Sequence, residues 1–308
     1  MSIDQEFEIY RSLPRQPVTL PRLLAGLLII GGCWLGTCLV IIIPAIFLMG
    51  ATIDTFFLSA GGVLTLFATF LGIWLGVWLA MRYLHREPLG NLFGATGEVN
   101  RSDFCKGFAA VCLTSVVSEV LVYLVHPEFS RTAIDLPSWL TFLVPVALLC
   151  LVQTSSEEIL FRGYLMRNLA NRFRSPWIWA VLPAVAFVAM HCSPDMALAD
   201  LILVVLSIGS LTVALVLVAY RTGNLGAAFG IHFGNNLFAF LLVAHQDEFG
   251  AFALFRGAPI DQVGEGFGKV WLLGAIAMIC VGLTLVLLLH RASPLRLALA
   301  TPVGEGRA

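Results

Sequence analysis

Residues 153–174 read QTSSEEILFRGYLMRNLANRFR. They follow the apolar run 139–152 without a break, so Glu157 and Glu158 fall where lipid depth is expected. A charge at that depth costs about 3 kcal/mol or more. Two adjacent carboxylates there need partners or a task. On a helix Glu158 and Arg162 stand one turn apart, acid before base, which is the favourable order. Glu157 points roughly 100° away by the helical period and gains no such partner from its own helix. The spacing assigns Glu158–Arg162 as a brace and Glu157 as the working group.

The composition sets the class. The chain has 308 residues, 59% of them hydrophobic and 12% charged. Soluble domains run near about 45–50% apolar and about 25% charged. The expectation is an all-α, polytopic membrane protein. A formal net charge of -1 points to no nucleic-acid partner. The seven cysteines are scattered in or beside apolar runs without a C-x-x-C pair, and read as small buried hydrophobes. Residues 1–22 carry Asp4, Glu6, Glu8, Arg11, Arg15 and Arg22 and do not read as a secretory signal peptide.

A spanning helix needs about 20 mostly apolar residues. Eight candidate spans follow: 23–50, 57–83, 105–125, 138–160, 177–192, 198–220, 224–244 and 270–290. Pro44, Pro145 and Pro183 lie inside these runs and predict kinks. Eight spans with the N-terminus in the cytoplasm leave only Arg131, Arg256 and Lys269 of the 18 basic residues outside. That asymmetry is the one the positive-inside rule demands. Both termini are then cytoplasmic, in what reads as a prokaryotic plasma membrane. The expected divisions are a cytoplasmic segment 1–22, two accessory spans and a cytoplasmic loop over 23–104, a core over 105–245, an outer loop and last span over 246–291, and a disordered cytoplasmic tail over 292–308.

The remaining polar groups at depth converge on Glu157. The chain turns near Ser175-Pro176, so Glu157 and His191 lie equally far from the tip of a hairpin, roughly 25 Å down antiparallel helices. A carboxylate and an imidazole at one level can share one water. Phe187, one turn before His191, walls the same face. Residues 224–238 read NLGAAFGIHFGNNLF. His232 and Asn236 share a face there, roughly 20 Å from the turn before them. Gly226, Gly230 and Gly234 form a strip nearly opposite, which admits a close helix neighbour.

These groups imply a chemistry. A carboxylate shielded from bulk water beside a neutral imidazole can take a proton from water. A second imidazole and an amide N–H suit the oxygen of a tetrahedral intermediate. Glu157, His191, His232 and Asn236 thus supply a base, its partner and an oxyanion site, with Glu158, Arg162 and Phe187 in support. The reaction is hydrolysis of a peptide bond in or beside the bilayer. No cofactor is required, although Glu157, His191 and His232 would also suit Zn²⁺ with an open position. Spacing leaves both open. Glu119 reads as structural and paired with a neighbour. His85, His126, His245 and His290 fall at helix ends and read as interfacial. Asp195, Asp200, Asp247 and Glu248 read as solvated.

The set Glu157-Glu158-x-x-x-Arg162, Phe187-x-x-x-His191 and His232-x-x-x-Asn236, in this order on successive helices, resembles the CPBP family. These are the CAAX prenyl proteases and bacteriocin-processing proteins, also called the Abi family. The resemblance covers about residues 100–245 and makes 105–245 the catalytic core. It implies an eight-helix core and an intramembrane endopeptidase. It implies that Glu157 and His191 activate water, that His232 and Asn236 hold the oxyanion, and that Glu158 and Arg162 support them. Both a metal-dependent and a metal-free glutamate mechanism are argued for the family, and the second is the expectation here. The partner implied is a membrane protein or peptide substrate within the lipid bilayer, and prenylation of it does not follow. Oligomeric state is not readable. Two other readings use the same residues: a non-catalytic immunity or adaptor protein on this fold, and a proton-coupled transporter using Glu119 and Glu157.

Overall fold

The protein is described by a computed structural model over residues 3–245, 250–258 and 267–297. Asp247, Glu248 and the tail beyond residue 297 lie outside the described residues. The helices are α1 (Ile3–Ser12), α2 (Leu20–Met49), α3 (Ala60–His85), α4 (Arg101–Val125), α5 (Leu136–Arg172), α6 (Trp177–Ala189), α7 (Leu198–Thr222), α8 (Gly226–Leu241) and α9 (Phe267–Leu289). Among the described residues six of these, α2, α3, α4, α5, α7 and α9, are long and apolar enough to cross a membrane. The protein is an integral membrane protein with an all-α fold. The two other expected spans, 177–192 and 224–244, are the shorter helices α6 and α8. These are the two that lead to His191 and carry His232.

Sequence places the helix ends. Thr19, Asn100 and Asp135 precede α2, α4 and α5, and each side chain accepts a backbone N–H three residues on, at Arg22, Asp103 and Ser138. The apolar faces look outward as well as inward: Leu28, Val40 and Phe47 of α2 are exposed. That is the surface of a helix solvated by lipid rather than water.

α5 keeps its polar stretch by satisfying it locally. Thr154, Ser155 and Ser156 donate their hydroxyls to the carbonyls of Cys150, Leu151 and Gln153. No hydroxyl there depends on water. The helix widens into a π-helical stretch at Ile159–Met166, immediately after the two glutamates, and then resumes as far as Arg172. Such widening often accompanies functional sites. α6 also begins with a π-helical turn, at Trp177–Val181, and Pro183 sits in the first turn where α-helical geometry resumes. Pro183 therefore occupies a tolerated position rather than the middle of a run. α6 ends at Ala189, so His191 lies in the following turn and not on the helix as the apolar run suggested.

The glycine strip of α8 packs against α4. A Cβ at Gly230 would stand 2.0 Å from the Phe104 carbonyl oxygen, and one at Gly234 would meet Val111 at 2.5 Å. The opposite face of α8 is thereby turned toward α5. Two other elements were not expected. The N-terminal segment includes α1, whose Phe7 ring lies 4.9 Å from Trp179 and 5.0 Å from Tyr220. The Tyr10 hydroxyl of α1 donates to the Leu92 carbonyl at 2.6 Å. Three short strands, Phe129–Arg131 (β1), Val243–Ala244 (β2) and Phe255–Gly257 (β3), form a sheet in the order β1-β3-β2. β1 runs antiparallel and β2 parallel to β3.

The helix-end histidines divide. His85 is buried, not interfacial, because the Tyr164 hydroxyl reaches its Nε2 at 2.8 Å. His245 is mostly covered and joins α4 to the sheet. Its Nε2 stands 3.1 Å from Glu119 Oε2 and its Nδ1 2.9 Å from the Ala258 carbonyl. His126 lies beside Glu128, and His290 is exposed. Asp195 is exposed as expected.

Two outcomes follow from this packing. Gly230→Val lowers stability by about 1–3 kcal/mol, read from thermal unfolding in detergent, while Gly36→Ala, whose Cβ would meet nothing within 4 Å, leaves it unchanged. Equal melting of both variants contradicts the close α4–α8 contact. Burial works against a charged His245, but the Glu119 carboxylate and the Ala258 carbonyl outweigh it and hold the imidazole above its usual pKa of 6.5. A raised folded pKa stabilises fully below the unfolded value and loses that stabilisation as pH rises through the folded one. Wild type should therefore lose stability as pH rises from slightly acid to alkaline values. Glu119→Gln should flatten the profile, and an unaltered profile in that variant refutes the clamp.

Candidate active site

The site is assembled where α5, α6 and α8 meet. Glu158 is fully buried. Its Oε1 accepts from Arg162 Nη1 at 2.8 Å on the same helix and from His232 Nδ1 at 2.7 Å on α8. The expected brace is present, and His232 joins it. A buried carboxylate with two such donors is neutralised and oriented at once.

Glu157 leaves the helix on another face. It is 8% exposed. Its Oε1 accepts from Gln153 Nε2 at 2.8 Å. Glu157 gains no basic partner from its own helix, as expected, but the Gln153 amide one turn before it does reach it. Only the amide nitrogen can donate to a carboxylate, so the orientation of Gln153 is fixed. Gln153 Oε1 then accepts from Asn236 Nδ2 at 3.0 Å. Asn236 Oδ1 accepts in turn from Asn235 at 3.1 Å. One amide therefore positions both Glu157 and Asn236. Sequence reasoning assigned no role to Gln153, although a lone amide one turn before Glu157 in an apolar run was a signal.

Glu157 Oε2 differs from Oε1. It is buried and has no hydrogen-bond partner among the described residues. His232 Nε2 lies 3.5 Å from it, too long for a strong bond. His232 thus stands between the two glutamates, bonded to one and facing the other.

Phe187 links the remaining groups. Its ring centroid lies 4.8 Å from that of His191, 5.9 Å from His232 and 5.0 Å from Phe161. The Arg162 guanidinium carbon sits 4.6 Å from the same ring, in cation–π range. His191 Nδ1 is 2.9 Å from the Phe187 carbonyl. A carbonyl can only accept, so the neutral imidazole carries its proton on Nδ1 and leaves Nε2 as the free acceptor. Among the described residues no N···O approach within 4.0 Å joins His191 to Glu157. The two interact electrostatically across that gap.

The donor set was tested against Zn²⁺. Among the described residues no three His, Cys, Asp or Glu side chains are grouped to hold a metal ion. Glu157, His191 and His232 are not grouped in that way in this arrangement.

Removing one member of the brace tests its worth. Arg162→Met leaves Glu158 buried beside one donor and should cost roughly 3–5 kcal/mol in denaturant unfolding. Glu158→Gln combined with Arg162→Met should recover part of that loss. A single-variant loss under about 1 kcal/mol would rank the pair with surface bridges and contradict its burial.

Comparison with known proteins agrees with the motif reading. The family described as Type II CAAX prenyl endopeptidase Rce1-like matches residues 138–238, which contain every residue of the assembly above. The uncharacterized protein YyaK of Bacillus subtilis (strain 168) is 25% identical over 198 residues, covering 61% of this chain and 64% of that protein. The match thus spans a little under two thirds of the relative's length. No solved structure matches the chain. Residues 138–238, which hold the two glutamates, both histidines and their amides, are thus similar to the Rce1-like CAAX endopeptidase family that the motif order resembles.

Proposed function

We propose that this protein is an intramembrane endopeptidase that hydrolyses a peptide bond of a membrane-associated protein or peptide. The observation that carries this reading is Glu157 Oε2, a buried carboxylate oxygen without a hydrogen-bond partner while Oε1 is held by Gln153. One oxygen is fixed and the other is free to act. A water bound there loses a proton to Glu157 as its oxygen bonds to the substrate carbonyl carbon. His191 Nε2, with its lone pair free, is the partner of that water. Asn236 keeps a second N–H beyond the one given to Gln153, and this is one donor for the oxyanion. His232 Nε2 faces the same side; with Nδ1–H given to Glu158, it is the second donor in the imidazolium form, where both ring nitrogens carry a proton. Collapse of the tetrahedral intermediate breaks the C–N bond, and the proton on Glu157 passes to the leaving nitrogen.

In this proposal no metal takes part, and the substrate need not be prenylated. By the positive-inside rule the distribution of basic residues supports a reading with both termini in the cytoplasm, in the plasma membrane of a prokaryote. The transporter reading has less support. Glu119 is engaged by His245 and shares no contact with Glu157.

A peptide-cleavage assay on the purified protein tests the reading. Glu157→Gln should lower kcat/KM by about 10²–10⁴-fold with melting unchanged. Gln153→Ala should lower kcat by about 10–100-fold with little change in KM, because it mispositions the base. A chelator should have no effect. Undiminished cleavage by Glu157→Gln sinks the proposal, and loss of activity on chelation transfers the water to a metal.

A further inference from the structure

At the C-terminal end of α3 the fold opens a cavity of about 250 Å³, lined by Arg15, Trp78, Arg82, Arg86 and Glu87 among others. The acid there is already committed. Glu87 is buried and accepts from Arg167 Nη2 at 2.9 Å and from Asn91 at 3.3 Å. The side chains of Arg15, Arg82 and Arg86 form no hydrogen bond or ion pair among the described residues. Three guanidinium groups thus surround one concavity with no counter-charge of their own. They come from two places in the chain, the α1–α2 link and the end of α3, so the grouping is a product of the fold.

Arg86 caps the C-terminal end of α3 in the left-handed conformation, φ +57°, with its backbone N–H on the Met81 carbonyl. A further feature points to membrane height. Trp78 and Tyr83 are exposed on the last turns of α3, with ring centroids 6.0 Å apart and edge-on. Exposed tryptophan and tyrosine at the end of a membrane helix mark the headgroup level. Arginine is the side chain whose planar fork matches phosphate oxygens two at a time.

We propose that this cavity binds a phosphate group, presented by the headgroup of an anionic phospholipid. The site is separate from the glutamate–histidine assembly and does not rest on the proteolytic reading. The three arginines supply the charge, and the α3 aromatics hold the glycerol end at the interface. Free phosphate offers the same oxygens without the acyl chains, so the two sources are separable.

Native mass spectrometry of the full-length protein in detergent provides the test, with phosphatidylglycerol, phosphatidylcholine or inorganic phosphate added separately. The wild type should bind phosphatidylglycerol at least about tenfold more tightly than phosphatidylcholine. R82Q/R86Q should lose that preference, while R291Q, an exposed arginine elsewhere, should keep it. Should R82Q/R86Q fail to fold by size-exclusion chromatography, R15Q in the exposed link supplies the same comparison. Binding of inorganic phosphate with no preference between the lipids overturns the lipid source. Equal phosphatidylglycerol binding by wild type and folded arginine variants overturns the site.

Discussion

A carboxylate sealed from water at membrane depth must be matched, and Glu158 is matched twice. Arg162 answers it from one turn along the same helix and His232 from another helix. The first bond is local and preorganised. The second is long-range and fixes α8 against α5. Arg162 then lies on the face of Phe187, and Phe187 carries the His191 ring beside it. Glu157, His191 and His232 are therefore one or two contacts from a single buried ion pair, and Asn236 is tied in through Gln153 and Glu157. The neutralised charge determines where the helices sit, and their placement determines the site.

The adjacent glutamates show why one helix can give two acids different lives. A step of roughly 100° sends Glu158 to cations and Glu157 to an amide. Gln153 holds Glu157 by one oxygen without a charge that would bind the carboxylate outright. An amide is a weaker partner than a guanidinium, so Glu157 stays oriented yet available. The neighbouring Asn236 is tied through the same amide, which keeps the proposed base and oxyanion donor in register.

Much of this was legible because helical spacing is legible. Glu158 and Arg162 at four residues, His232 and Asn236 at four, and the glycines two residues out of phase each map onto one helix face, and those faces exist. Gln153 was not assigned because its role rests on a bond to Asn236 on another helix, which spacing within one helix does not register. His191 was placed on a helix because the apolar run continues to Met190, and composition does not register where hydrogen bonding stops. His85 was misread for another reason. Its position is a helix end, but its burial comes from Tyr164, which is remote in sequence. The sheet of two- and three-residue strands is too short to leave a period.

The two shorter helices bear on how water could enter. α8 has 16 residues and so a length of about 24 Å, less than the roughly 30 Å of a hydrocarbon core. α6 is shorter still and ends before His191. Irregular backbone follows it, and within a bilayer such backbone survives only where protein covers it or water reaches it. Part of it is covered: the His191 and Cys192 amides donate to Val188 and Ala189. His191 itself is only partly buried, unlike the sealed pair at Glu158. A long helix would have carried this imidazole into lipid contact. A short one ends at the level where the proposed reaction needs both an aqueous path and a low dielectric, so the length deficit of α6 and α8 is a requirement of the hydrolytic reading rather than an irregularity of the fold.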